Sequence, residues 1–141
     1  MEKGLYFSLP RGKIEDKDNL HLKDPAMKHY TIAALPKKDI SPGITLSSVF
    51  LENLMVTFVT LEQDAVLPDH SHPHEQITVI ISGALLFKLE VREVLLRGGD
   101  TILVPSGAMH GGVVTEGPCV AYDSWSPVRE DYKIPETPHD R

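Results

Sequence analysis

The stretch Asp69-His70-Ser71-His72-Pro73-His74-Glu75-Gln76, running straight into the apolar Ile77-Thr78-Val79-Ile80-Ile81, decides how the rest of the chain is read. Three of the seven histidines fall inside it. Alternate side chains of an extended backbone point to the same side. His70 and His72 therefore aim two imidazoles at one point, and Gln76 reaches that point from the next strand. A further imidazole must come from elsewhere in the chain, and His110, just after the Pro105-Ser106-Gly107 turn, is the candidate. Imidazole nitrogen suits iron, manganese, nickel, zinc or copper, and a glutamine oxygen is a harder, neutral donor. His70, His72, Gln76 and His110 are thus candidate ligands for one divalent transition-metal ion per chain, with positions left open for water or substrate. On spacing alone the alternative is a solvated, turn-rich histidine loop. His74 is expected to point outward or to stand behind the ligands, and the isolated His21, His29 and His139 to lie at the surface.

Working outward, short apolar runs alternate with turn residues. The runs cover residues 44–51, 54–61, 77–81, 85–89, 94–96, 101–104, 113–115 and 119–124. Between them stand Glu52-Asn53, Ser82-Gly83, Gly98-Gly99-Asp100, Pro105-Ser106-Gly107 and Glu116-Gly117-Pro118. Strands this short and this regularly interrupted predict an all-β sandwich or barrel. Adjacent apolar residues, as in Val79-Ile80-Ile81, predict burial on both faces of a strand, one face in the interior and the other against a second sheet or subunit. A homodimer is the expected assembly. No segment carries a helical period. Residues 1–30 mix both charges densely and read as an arm, disordered or laid across a neighbouring subunit. Residues 31–134 form the barrel, and 135–141 a frayed tail.

At 141 residues the chain is one domain, and 41% hydrophobic with 24% charged residues is enough apolar material for an unstapled core. The lone Cys119, flanked by Pro118, Val120 and Ala121, cannot pair internally and reads as a buried strand thiol. A net charge of −6 provides no electrostatic footprint for nucleic acid, though a local basic group can still hold a small anion. No apolar run approaches a membrane span, and Met1 to Leu9 lacks the apolar core of a secretion signal, so a soluble, cytoplasmic protein is expected.

These residues resemble the paired motifs of the cupin family. Residues 70–83 are similar to the first motif, G-x5-H-x-H-x3-4-E-x6-G, and residues 99–110 to the second, G-x5-P-x-G-x2-H-x3-N. Gly83, Gly99, Pro105, Gly107 and His110 fall at the motif spacings. Asp64 stands for the first glycine, Gln76 for the glutamate ligand and Val114 for the last asparagine. The resemblance implies a jelly-roll antiparallel barrel, a double-stranded β-helix, with its metal on His70, His72, Gln76 and His110. Gly83 and Gly107 are predicted at tight turns with positive φ, and Asp visits that region more readily than most residues.

A tighter likeness follows. The phrase His-Ser-His-Pro-His-Glu-Gln, with the later Asp123-Ser124-Trp125-Ser126-Pro127-Val128-Arg129-Glu130-Asp131, resembles the pectin-degradation cupins of the KdgF type. Those relatives open unsaturated uronate sugars, the products of polysaccharide lyases, into linear keto acids. The resemblance implies an acid–base role for Asp123, a pocket aromatic at Trp125 and a substrate-holding cation at Arg129. The chemistry agrees. Opening a hemiacetal and converting an enol to a ketone require proton transfer, which a carboxylate beside a cation can perform, the cation keeping it ionised. Arginine matches a substrate carboxylate with a two-pronged fork. Read without the resemblance, Trp125 is core, Asp123 a strand-end cap and Arg129-Glu130-Asp131 a surface ion-pair run. Two other functions stand beside the sugar-acid reading: an iron(II)-dependent dioxygenase, and a non-catalytic cupin that only binds a small molecule.

Overall fold

The computed structural model describes residues 27–134, so most of the arm expected over 1–30 and all of the tail over 135–141 lie outside the described residues. Among the described residues eight strands make up the fold: β1 (Lys38–Ser41), β2 (Ile44–Phe50), β3 (Met55–Leu61), β4 (Val66–His70), β5 (Glu75–Leu89), β6 (Arg92–Arg97), β7 (Thr101–Val104) and β8 (His110–Ser126). Every pairing is antiparallel, in the order β1-β2-β3-β8-β5-β6, with β4 on β8 and β7 on β5. Among the described residues the helical content is two single 3-10 turns, Ile32–Ala34 and Glu130–Tyr132. No described helix is long and apolar enough to cross a membrane.

Two long strands carry the architecture. β5 pairs with β7 through residues 76–79 and with β6 through 84–89, while β8 pairs with β4 through 110–113 and with β3 through 119–125. The two also pair with each other from end to end, so each passes from one half of the barrel to the other and closes the jelly roll. Period-two alternation then decides what lies inside. On β3, Met55, Thr57, Val59 and Leu61 turn inward while Val56, Phe58 and Thr60 turn away. Ile44, Leu46, Leu61, Ile80, Leu85, Phe87 and Val114 fill the centre of the core. Cys119 is fully buried on β8, and burial raises its thiol pKa, as expected for an inert strand cysteine.

Three expectations are corrected and a fourth is narrowed. The runs 77–81 and 85–89 belong to one strand, because Ser82-Gly83 forms a bulge rather than a turn. Gly83 has the anticipated positive φ, +78°, and a Cβ there would lie 2.6 Å from the carbonyl oxygens of both Glu116 and Pro118. The runs 113–115 and 119–124 likewise belong to β8, which passes through Glu116-Gly117-Pro118 while the Gly117 N–H donates to Gln63 Oε1 at 2.7 Å. β1 and β4 have no counterpart among the apolar runs. Both are edge strands, where Lys38, Asp39 and Pro68 are tolerated and an apolar pattern is not needed. For Val79-Ile80-Ile81, Ile80 is interior and its neighbours are open within the chain, so of the two covers expected for the outer face the second sheet is removed and the subunit is left. Asp64 takes positive φ, +65°, as its motif position suggested.

Candidate metal centre

The ligand candidates converge because of strand register. His70 ends β4 and pairs with His110, which begins β8. His72 lies in the β4–β5 loop, which is tied down twice by the Pro105-Ser106-Gly107 turn: the Gly107 N–H donates to His72 O at 2.8 Å and Ser106 Oγ to Pro73 O at 2.6 Å. Gly107 makes that turn with a φ of +79°. Gln76 is the second residue of β5 and faces inward beside Trp125 of β8. Gln76 and His110 are buried, and His70 and His72 half-buried.

Backbone carbonyls select the tautomer of all three rings. A carbonyl oxygen only accepts, so each ring's Nδ1 must carry the hydrogen: His70 Nδ1 donates to Pro68 O (2.8 Å), His72 Nδ1 to His74 O (3.1 Å) and His110 Nδ1 to Ala108 O (2.9 Å). The three Nε2 atoms are left as lone pairs. His72 Nε2 lies 3.2 Å from His110 Nε2 and 3.1 Å from Gln76 Oε1, and the histidine nitrogens of the trio are all within 4.8 Å of one another. Acceptors this close repel unless a cation lies between them. Two nitrogens each ~2.1 Å from one ion are ~3.0 Å apart at a right angle and ~3.4 Å apart at the tetrahedral angle, a range that brackets the His72–His110 separation. Burial first, then the neighbouring His110 and Arg129 charges, pull the His72 pKa down to about 4; burial also lowers that of His110. Both rings are therefore unprotonated at neutral pH, the form a metal requires. The three histidines are positioned closely enough to hold an ion.

Beside the cluster, one row of inward side chains crosses three strands: Thr57 on β3, Asp123 on β8 and Thr78 on β5 are register partners. Thr78 Oγ1 donates to Asp123 Oδ1 at 2.6 Å, and Thr57 Oγ1 makes a longer 3.5 Å contact to Oδ2. Burial lifts the Asp123 pKa to about 6, against the opposing pull of bonds from Thr78, Gln76 and Thr57. The sequence-based expectation weighed only a nearby cation; burial is the larger influence here. Asp123 belongs to the same cavity as His70, Gln76 and His110, a space of about 540 Å³ including its open mouth, whose deeper walls are Ile44, Leu46, Val59, Leu85 and Phe87.

Trp125 meets both of its alternative readings. It is buried with Met55 and Val128, yet it also lines this cavity and meets the His72 ring edge-on at 5.2 Å. Arg129 does not line the cavity. Its guanidinium lies 4.9 Å from the Trp125 ring centre and 3.9 Å from that of Tyr132, and its Nε and Nη2 donate to the two oxygens of Asp131 at 3.1 and 2.6 Å. Those bonds hold the Asp131 carboxyl below the usual carboxylate range. Nη1 is buried and has no partner. His74 is half-buried edge-on to His72 at 5.5 Å, behind the candidate ligands, and its Nδ1 is also without a partner. His29 is exposed as expected, whereas His21 and His139 lie outside the described residues.

A cupin domain model matches residues 57–125. Among solved structures, KdgF from Halomonas sp. is 30% identical, with a TM-score of 0.72 over 75% of this chain and 100% of that one. The chain is a cupin. It also resembles an RmlC-like cupin from Shewanella frigidimarina (26% identity, TM-score 0.70, 76% of this chain and 97% of that one). A more partial likeness links it to the DMSP lyase DddQ from Ruegeria pomeroyi (28% identity, TM-score 0.53, 57% and 41%). No curated protein matches it significantly.

Three residues of this cupin's site escaped the sequence reading: Thr57, Thr78 and Tyr132. Thr78 carried a usable signal, since it lies two positions after Gln76 and so on the same face of an extended strand. Thr57 had none, because its value depends on β3 lying beside β8. Tyr132 is placed by the turn that follows Arg129.

Proposed function

We propose that this cupin holds one divalent transition-metal ion on His70, His72, Gln76 and His110 and opens unsaturated uronate sugars into linear keto acids, with Asp123 moving the proton. The observation that carries this reading is that Asp123, a half-buried carboxylate whose pKa is raised to about 6, shares one cavity with His70, Gln76 and His110, and that His72 completes the histidine trio beside it. The likeness to KdgF supports the substrate class. A divalent ion supplies Lewis acidity toward a substrate oxygen. The reaction is an isomerisation and needs no co-reactant. The hemiacetal hydroxyl gives up its proton, the ring C–O bond breaks to leave a carbonyl and an enolate, and the enol carbon takes a proton as the ketone forms. One carboxylate that accepts and returns a proton near neutral pH serves both transfers.

Arg129 is the candidate holder of the sugar carboxylate. Asp131 already occupies its Nε/Nη2 edge, so the donor offered is the partnerless Nη1. Trp125 contacts both that guanidinium and the His72 ring. The neutral His/Gln ligand set weighs against an iron(II) dioxygenase, a class that commonly includes a carboxylate ligand. A purely binding cupin would not need a desolvated carboxylate beside the ligands. The buried, unpaired Cys119 suits a cytoplasmic setting.

The test is ultraviolet absorbance at the conjugated double bond of a 4,5-unsaturated uronate monomer. Metal-loaded protein is expected to accelerate its loss well above the spontaneous rate. Equal rates with unsaturated galacturonate and its epimers would remove the sugar-acid assignment.

The assembly we propose is a homodimer through the outer face of the sheet. Ile77 (47% exposed), Val79 (37%), Ile81 (47%) and Leu103 (63%) stand there with Phe58 and Tyr122, and an identical face on a second copy matches this uncharged patch. Light scattering at micromolar concentration should return twice the 15.6 kDa chain mass; a monomer mass would refute the dimer.

A further inference from the structure

We propose that Thr78 is a positioning residue for the metal centre: its hydroxyl fixes the Gln76 amide with the oxygen, not the nitrogen, turned toward the histidines. The inference rests on the metal reading above and concerns how a neutral ligand is oriented. A glutamine amide has a ligating end and a repelling end of nearly the same shape, so something must choose between them. Two neighbours bias the choice the same way: Asp123, an acceptor to which Gln76 also bonds, and a short relay through Thr78 whose direction fixes the amide end it faces. Thr78 Oγ1 has one hydrogen, and its 2.6 Å bond to Asp123 Oδ1 uses it. Toward Gln76, 2.9 Å away, the same hydroxyl can then only accept, so the group facing it must be the Nε2 amine. Gln76 Oε1 is thereby left pointing at the cluster, 3.1 Å from His72 Nε2. In the flipped amide, Oε1 would face a hydroxyl with no hydrogen to give, and NH2 would face the incoming cation.

The relay is rigid at both ends. Gln76 and Thr78 are buried on the same face of β5, Asp123 is the register partner of Thr78, and Thr101 Oγ1 donates to the Thr78 carbonyl at 2.9 Å. Thr57 stands apart from this relay: its hydroxyl meets the other oxygen of Asp123 at 3.5 Å and accepts from Trp125 Nε1 at 3.0 Å. A glutamate ligand would need no such device, since either of its oxygens can face the ion.

Cobalt(II) titration of metal-free protein, followed by visible absorption, reads the orientation directly. Groups that orient metal ligands typically contribute about 10–100-fold in affinity. Thr78→Val should bind cobalt weaker by about that factor, with altered bands; Thr78→Ser should restore both. In a Gln76→Glu background the valine substitution should cost severalfold less. Thr78→Ala replaces the valine variant if that one does not fold, and melting temperatures before metal addition report folding. Wild-type affinity and bands in Thr78→Val, or a serine variant as weak as the valine one, would overturn the positioning role alone. Wild-type protein that binds no cobalt would overturn the metal reading along with it.

Discussion

Asp123→Asn is expected to slow turnover of an unsaturated uronate by about 10²–10⁴-fold, the usual contribution of general acid–base catalysis, while metal content stays at the wild-type level. The two parts of this outcome have separate origins. Asparagine cannot accept and return a proton, so the chemical step loses its carrier. Its side-chain oxygen can still accept from Thr78, so the Gln76 amide keeps its orientation and the ligand set survives. Its size also matches that of aspartate in a row of side chains held by β3 and β5 on either side. Single-turnover rates at saturating substrate, alongside elemental analysis of the same samples, make the check. Turnover within a few-fold of wild type would remove Asp123 from the proton path. A parallel loss of metal would assign it a ligand-supporting role instead.

The second large effect is expected from the histidines. His72→Ala or His110→Ala should each weaken metal binding by more than the ~100-fold that marks the upper range for groups merely orienting a ligand, and should bring turnover down to the spontaneous rate. His110 is the more informative position. It is buried, its ring stacks at 6.0 Å on Phe87 in the core, and its Nε2 is 3.2 Å from that of His72. Competition titration against a chelator, with melting curves of the metal-free proteins as the folding control, measures the loss. Full occupancy in either variant would mean that the ion is held elsewhere.

How much of this was legible in the sequence depended on how far each signal reached along the chain. His70, His72 and Gln76 are close neighbours whose alternation shows a common face, and His110 could be added through the cupin resemblance. Asp123, Trp125 and Arg129 were found by the KdgF-type phrase, but their surroundings could not be. That Asp131 takes the Nε/Nη2 edge of Arg129, leaving Nη1, is a matter of side-chain geometry after a short turn. That burial dominates the Asp123 pKa needs the whole barrel interior. In the fold, apolar runs exposed six of the eight described strands, the edge strands β6 and β7 among them, and missed β1 and β4, where Lys38, Asp39, Pro68 and Asp69 leave no apolar run to read. Ser82-Gly83 and Glu116-Gly117-Pro118 were misread as turns for a related reason. Glycine and proline mark departures from regular geometry, and only the pairing of β5 with β8 shows that these two departures bend strands without ending them.

The convergent donor set is the centre of the account, and metal stoichiometry tests it most directly. Protein stripped with chelator, reconstituted in turn with iron(II), manganese, nickel and zinc, then desalted and measured by elemental analysis, should retain close to one divalent ion per chain for at least one of these metals. A chain that retains none of the four would contradict it, because His70, His72 and His110 would then face one another across 4.8 Å or less with nothing to hold.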